Sequence, residues 1–376
     1  MGGMRLLVIT HEFPPIGGGA SPVAGQLARE LAARGHQVDV LTMRFGELDA
    51  FEIREDVQIY RMESLRRRQE KCTTFEMGVF LLGAGEKARK LTKNHHYDLI
   101  HAHFLFPAGP LAWLLSQFRH IPAVVTCHGS DVPGHNPERF VRAHRLLEKP
   151  WNFLARRLPL ISPSAALRQK IVACCPEAQV TVIPNGISLE ALPAPGTKAP
   201  RILMAGRMLR FKGYQHALAA LEGIAAAGWE VHLLGDGDYL PALKEQAQRL
   251  KLPVRFWGWL GQKDPRFREL FATSSIFIQP SEMENFPTAL LEAMAAGMAV
   301  ITSTAGGCLE AVGEAALTAP PGDVGRLREH LTTLMKDEGR RAELMAAGRQ
   351  RVEQFRWENV AGQYLQYFQK LIDSAS

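Results

Sequence analysis

Short runs of Val, Ile and Leu alternate with helix-length amphipathic stretches along almost the whole chain, and the alternation starts over once. Runs that are apolar throughout, and not at every second residue, read as strands buried on both faces, which is the condition of parallel sheets covered by helices. In the first series they are "MRLLVIT", "HQVDVLTM", "VQIYRM", "YDLIHAH", "PAVVTCH", "LPLIS" and "QVTVIP". "PAPGTKAP", residues 193–200, follows without core residues and is expected to be a linker. The second series is "RILMAG", "WEVHLLG", "VRFWGW", "SIFIQP" and "MAVIT". A chain of 376 residues also exceeds what one ordinary core accommodates. The expectation is an α/β protein of two doubly wound, Rossmann-like domains facing across a cleft, residues 1–190 and 191–354. In residues 355–376, Phe355, Trp357, Val360, Tyr364, Tyr367, Phe368 and Leu371 recur at near-helical spacing, as a C-terminal helix packing back on the first domain would require. Open sheets of this type bind ligands outside the carboxyl ends of their strands, so the cleft is the expected site.

Composition narrows the partners. With 46% apolar and 22% charged residues, no run approaches the roughly 18 apolar residues of a membrane-spanning helix. "MGGMRLLVITHEF" runs straight into a strand pattern without the features of a signal peptide, so a cytoplasmic protein is expected. Cys72, Cys127, Cys174, Cys175 and Cys308 are scattered and odd in number, and read as reduced thiols. The formal charge is +6, and residues 1–190 hold 23 Lys and Arg against 18 Asp and Glu, so most of the excess lies in the first half. An anionic partner suits that balance. No basic helix with base-reading residues and no aromatic-interleaved strand pair argues for nucleic acid, which leaves a phosphorylated small molecule or an anionic membrane surface. The segment 64–93 joins Arg66, Arg67, Arg68, Lys71, Lys87, Arg89, Lys90 and Lys93 to Phe75, Met77, Val79, Phe80, Leu81 and Leu82. It is a candidate peripheral contact with the inner face of the membrane, set evenly against an ordinary packed helix.

The chemistry concentrates in "SEMENFPTALLEAMAAG", residues 281–297. A strand, "SIFIQ", runs into a loop, and Pro287 suits the first turn of a helix capped near Asn285 or Phe286. The N–H groups of Thr288, Ala289 and Leu290 would then lie free at a helix start, where a phosphate fits. Glu284 in the loop and Glu292 on the helix flank that position and can accept hydrogen bonds from sugar and ribose hydroxyls. Burying a carboxylate among apolar residues is costly, so Glu292 must have a partner or await a ligand. In "LMAGRMLRFKGYQHAL", Arg207 follows a strand and Lys212 precedes a helix, placing two cations where departing phosphates would sit. Three glycines, Gly17, Gly18 and Gly19, follow the first strand and let the backbone approach a ligand; their spacing does not match a dinucleotide fingerprint. "VVTCHGSDV" ends a strand with His128 and, more weakly placed, Asp131. "LLGDGDYL" sets Gly235 and Gly237 in a tight turn; its Asp236 and Asp238 suit turn geometry and not a metal site.

"PSEMENFPTALLEAMAAGMAVITSTAGGCLEAV" resembles the E-x7-E region of the retaining glycosyltransferases of family four, and the other elements follow in the family's order over nearly the whole chain. The resemblance implies the two-domain GT-B fold, a place in polysaccharide or related biosynthesis, and transfer of a hexose from a nucleotide-diphosphate sugar to a glycan, lipid-linked or small-molecule hydroxyl without metal or other cofactor. It implies that Glu284 holds the donor sugar's hydroxyls and Glu292 the ribose, while Arg207 and Lys212 sit on the phosphates. His128 would lie beside the sugar, its backbone carbonyl toward the anomeric carbon. Gly17, Gly18 and Gly19 would border the diphosphate and acceptor; Gly235, Gly237, Phe286, Pro287, Thr288 and Ala289 complete the donor contacts. Asn285, Phe286 and Pro287 stand where G-F-G is commoner in the family. A nucleotide-sugar epimerase of the same architecture is the alternative, and a glycoside hydrolase or a non-catalytic binding protein ranks below it.

Overall fold

The computed structural model of the protein describes residues 3–69, 71–135, 145–224 and 228–375. The chain divides into two compact units, Met1–Gly186 with Trp357–Ser376, and Ile187–Arg356.

The first unit is built on an eight-stranded sheet: β1 (Arg5–Ile9), β2 (Gln37–Met43), β3 (Phe51–Arg54), β4 (Val57–Met62), β5 (Leu99–His103), β6 (Ala123–Thr126), β7 (Leu160–Ser162) and β8 (Val180–Val182). Its order is β3-β4-β2-β1-β5-β6-β7-β8, parallel except for the β3/β4 hairpin. Alternate residues of each central strand feed opposite cores. Leu6 and Val8 pack with Leu27, Leu31, Val360 and Phe368, whereas Leu7 and Ile9 pack with Phe80, Ala84, Leu111 and Leu154. That two-sided burial is why these strands read as continuous apolar runs. The C-terminal helix Trp357–Ala375 belongs to this unit and buries Trp357, Val360, Ala361, Tyr364 and Phe368.

The second unit has six strands, all parallel: β9 (Ala199–Ala205), β10 (Glu230–Leu234), β11 (Val254–Gly258), β12 (Ser274–Gln279), β13 (Ala299–Ser303) and β14 (Ala316–Ala319), ordered β11-β10-β9-β12-β13-β14. In each sheet the order reverses beside the unit's first strand, between β1 and β5 and between β9 and β12. Those switch points leave a crevice at the carboxyl ends of the two strands concerned.

Two expectations are corrected. Residues 193–200 are not a linker: Gly196 N–H donates to Ala272 O at 3.1 Å, Lys198 Nζ donates to Ala272 O and Ala296 O at 2.8 and 2.7 Å, and β9 begins at Ala199. The chain passes between units at 186/187 and 356/357 instead. Phe355 is not part of the C-terminal helix but stacks edge-on against Phe286 in the second unit, 5.3 Å between centroids. Gly186 lies under Trp357, where a Cβ would come within 2.4 Å of the indole. Two strands, β3 and β14, carry no apolar run. Both are edge strands with little burial, and β3 is turned by Glu55 and Asp56 at φ 48° and 63°. No disulfide joins the five cysteines. No helix among the described residues is long and apolar enough to cross a membrane.

Candidate active site

In the second unit the site grows from the carboxyl ends of β9 and β12. After β9 the chain turns through Gly206, Arg207 and Met208 into a short 3-10 turn, Arg210–Lys212. Gly213 follows at φ +73°, and a Cβ there would come within 1.9 Å of Pro280 O, beyond β12. A glycine is therefore needed for the two loops to touch, and their contact brings Lys212 to a residue 72 positions away. Lys212 Nζ lies 2.6 Å from Glu284 Oε1. The same oxygen accepts from Gln279 Nε2 at 2.6 Å and Ser281 Oγ at 2.8 Å. Glu284 Oε2 has no partner among the described residues, so one oxygen is anchored by three donors and the other is open to a ligand. The main chain is held as firmly, because Gly306 packs so closely that a Cβ would lie 1.9 Å from Glu284 O.

The half-buried Arg207 guanidinium makes no hydrogen bond or ion pair with the described residues. An unpaired cation in the same loop as Lys212 suits an anionic ligand.

Pro287 is the N-cap of the helix Thr288–Ala295, one position later than expected, and neither a side-chain cap nor an acidic residue occupies its first turn. Leu290 N–H donates to Pro287 O at 3.1 Å, which removes it from the set of free amides and leaves Thr288 and Ala289 at the open helix start. Phe286 is buried against Phe355, so its side chain belongs to the core and not to a ligand surface. On the helix, Glu292 has a single partner, Gln262 Nε2 at 3.1 Å. Loss of solvent, eased only by that neutral amide, pushes the Glu292 carboxyl up to about 7.

Gly235 and Gly237 stand in the expected tight turn and also let two loops meet. At φ +135° and +156°, their missing Cβ atoms would lie 1.8 Å from Gly206 O and 2.5 Å from Met208 O. They let the loop after β10 lie directly on the loop carrying Arg207, joined by Met208 N–H to Asp236 O at 2.9 Å. Asp236 accepts Gly237 N–H at 2.7 Å, as a turn aspartate does. Among the described residues no three His, Cys, Asp or Glu side chains gather in a group that could hold a metal ion.

In the first unit, β1 leads into Thr10, His11 and Glu12, and β6 leads into His128. The glycine loop is already engaged: Gly17 N–H donates to Gln69 O and Gly18 N–H to Glu12 Oε2, each at 2.9 Å. Gly17, at φ +111°, packs on the Glu12 side chain, whereas nothing approaches the Cβ position of Gly19. His128 Nε2 is 2.9 Å from His103 Nδ1, and the two rings stack. Burial pushes His128 down to about 3, with His11 adding to the effect, so it is a neutral imidazole at pH 7, able to share a hydroxyl's hydrogen bond but not to supply charge. Asp131 is buried and ties two segments together, accepting His128 N–H at 2.9 Å and Leu105 N–H at 2.7 Å. Its carboxyl is raised by burial.

Two models of known families divide this chain. "Glycosyltransferase Family 4" matches residues 17–191, and "Glycosyl transferases group 1" matches residues 199–337. Both units are glycosyltransferase domains. The glycosyltransferase is 29% identical to a glycogen synthase of Mycobacterium tuberculosis, over 95% of this chain and 92% of that protein. It is 24% identical to the N-acetyl-alpha-D-glucosaminyl L-malate synthase of Bacillus anthracis, over 96% of each. Among solved structures, sucrose-phosphate synthase from Thermosynechococcus elongatus superposes with a TM-score of 0.85 at 22% identity, over 99% of this chain and 100% of that one. Anabaena HepE, solved with UDP and glucose, superposes at 0.77 and 20% identity, over 97% and 99%. The fold is GT-B, as expected.

Within the glycosyltransferase, the sequence singled out Glu284 and Lys212, which the structure brings into contact, but not their neighbours Gln279 and Ser281, nor Gln262, Glu12 and His103. His101 and His103 could have been noticed, since their spacing in β5 sets both on one face of a fully buried strand. The others are ordinary polar residues whose only distinction is what they meet in space. The basic segment 64–93 divides between the two readings it was given. Arg66 is buried, Lys87 lies over the Tyr60 ring at 4.4 Å, Lys90 pairs with Glu86 and Phe80 is core, while Phe75 and Leu82 stand exposed.

Proposed function

We propose that the protein is an anomer-retaining hexosyltransferase that moves a sugar from a nucleotide-diphosphate sugar to a hydroxyl of a glycan, lipid-linked or small-molecule acceptor, without a metal. The observation that carries this reading is the Lys212–Glu284 pair at the β9/β12 switch point, with one carboxylate oxygen anchored and the other open. Arg207 and Lys212 neutralise the diphosphate as it leaves, Thr288 and Ala289 N–H receive one of its oxygens, Glu284 holds the sugar and Glu292 the ribose. HepE, solved with UDP-glucose, supports a nucleotide-sugar donor. No side chain is placed as a nucleophile. The acceptor oxygen attacks on the face from which the phosphate departs; as the bond from the anomeric carbon to phosphate oxygen breaks, the electron pair stays on phosphate and the acceptor's proton passes to it. Neutral His128 and the loop Gly17–Gly19 line the sugar's side in this reading.

A panel of UDP-glucose, ADP-glucose and GDP-mannose tests it. The true donor stabilises the fold by mass action, by about 2.7 kcal/mol at a hundredfold excess over Kd, and so raises the melting temperature. NMR of the product should show the donor's anomeric configuration. An inverted product removes the retaining mechanism, and conversion of donor into another nucleotide sugar without acceptor makes the protein an epimerase. The reading extends to a peripheral membrane contact through Phe75 and Leu82, flanked by Arg67, Arg68, Arg89 and Lys93. Co-sedimentation with vesicles should rise on adding phosphatidylserine, and an unchanged bound fraction would remove that part.

A further inference from the structure

We infer that Arg66 and Glu12 are positioning residues for sugar transfer, gripping the glycine loop from its two sides, an inference that rests on the glycosyltransferase reading above. Arg66 has a fully buried side chain in a segment whose neighbours Arg67, Arg68 and Gln69 are exposed. A buried guanidinium is costly unless its donors are met, and here three backbone carbonyls meet them. Its NH1 donates to His11 O at 3.2 Å, its Nε to Arg68 O at 2.9 Å and its NH2 to Gln69 O at 3.0 Å. One planar group thus joins the chain leaving β1 to residues 68–69, more than 50 positions away. Gln69 then reaches the loop twice: its carbonyl accepts Gly17 N–H at 2.9 Å and its side chain donates to Pro15 O at 2.8 Å. From the other side Glu12 Oε2 accepts Gly18 N–H at 2.9 Å, and Glu12 Oε1 lies 4.0 Å from Arg66 NH2. The carboxylate and the guanidinium therefore hold the loop and also each other.

The consequence concerns function. With the Gly17 and Gly18 amides committed to protein acceptors, those two groups are not the free donors that a diphosphate would need. The loop acts through its shape, as a fixed wall against which sugar and acceptor are aligned. Nucleotide affinity, which resides in the second unit, is then independent of the clasp, while turnover depends on it.

Arg66→Lys and Glu12→Gln keep size and polarity, and Gln69→Ala alters only an exposed side chain, so at least one variant folds. Amide hydrogen exchange over residues 12–20 should quicken about tenfold or more in Arg66→Lys and Glu12→Gln, and less in Gln69→Ala. Binding of UDP, ADP or GDP, whichever the wild type prefers, should stay within about twofold. Turnover of the corresponding nucleotide sugar should fall about ten- to hundredfold, in the same rank order as the exchange. Unchanged exchange overturns the clasp. Quickened exchange with native turnover makes it a local staple without a part in transfer, and nucleotide affinity falling in step with turnover makes it a general structural support. A wild type that turns over none of these nucleotide sugars counts against the underlying reading, and exchange alone then decides whether the loop is held.

Discussion

At pH 8, Glu292→Gln is expected to melt higher than the native protein and to lose most of its response to nucleotide sugar. The native carboxyl is pushed up from 4.5 to about 7, so the folded state keeps a proton that the unfolded chain has released over that interval. A raised carboxyl contributes fully below pH 4.5 and loses that contribution as pH rises through 7, so above 7 the ionised, half-buried Glu292 burdens the unliganded fold. A shift of this size corresponds to at most about 3 kcal/mol, and partial exposure brings the expected gain from a neutral amide to roughly 1–3 kcal/mol. About 2–4 °C of melting temperature accompanies each kcal/mol for a unit of this size. The advantage of the variant should shrink below pH 7 and be gone below about pH 4.5. In the proposed site a ribose hydroxyl would donate to the ionised form, so native donor affinity should fall as pH drops below about 7, while the variant should bind about ten- to a hundredfold more weakly without that dependence. Melting curves and donor titrations across pH 5–8 check both halves. A variant less stable than the native protein at pH 8 would mean that Glu292 is a structural hydrogen-bonding group and not one held ready for a ligand.

Lys212→Ala is expected to lower turnover about 10²–10³-fold with the fold intact. That is the range for removing one preorganised donor from developing negative charge. The ammonium lies at a point contact 2.6 Å from Glu284 Oε1, and its side chain is 18% exposed, so it is neither solvated enough to be irrelevant nor built into either core of its unit. Its removal leaves Glu284 to Gln279 and Ser281 alone, so under the proposed function the sugar's anchor would loosen as the phosphate lost its cation. Lys212→Arg should recover little, since a planar fork does not reproduce a compact ammonium among three donors on one oxygen. Steady-state kinetics with the donor identified by thermal shift, alongside a melting curve, decide it. Turnover within a fewfold of native would make the pair a local ion bridge and move the leaving-group role to Arg207.

Much of this was legible in one dimension because the burial is two-sided. Leu6, Leu7, Val8 and Ile9 all had to be apolar, since consecutive residues face different cores. The same logic hid β3 and β14, whose edge positions demand little burial, so FEIR and ALTA carry no periodic signal. Arg66 was misread for a related reason. It lies in a basic run, and composition cannot distinguish the one arginine whose donors are met indoors from its solvated neighbours. The Pro-rich segment 193–200 failed differently: Lys198 is anchored by two helix-end carbonyls that belong to chain about 75 and 100 residues away.

What the order of residues determined alone was local and repetitive: two series of buried strands, a glycine wherever loops must touch, and a helix that starts just beyond a strand near Pro287. Sterics and hydrophobic period act over a few residues, so they can be read from a few residues. Which oxygen of Glu284 is anchored, that Gly17 and Gly18 spend their amides on Gln69 and Glu12, and how far Glu292 is lifted were decided only by the folded chain. Hydrogen bonds and desolvation depend on distances of a few ångströms between groups that lie 3 to 72 positions apart along the chain.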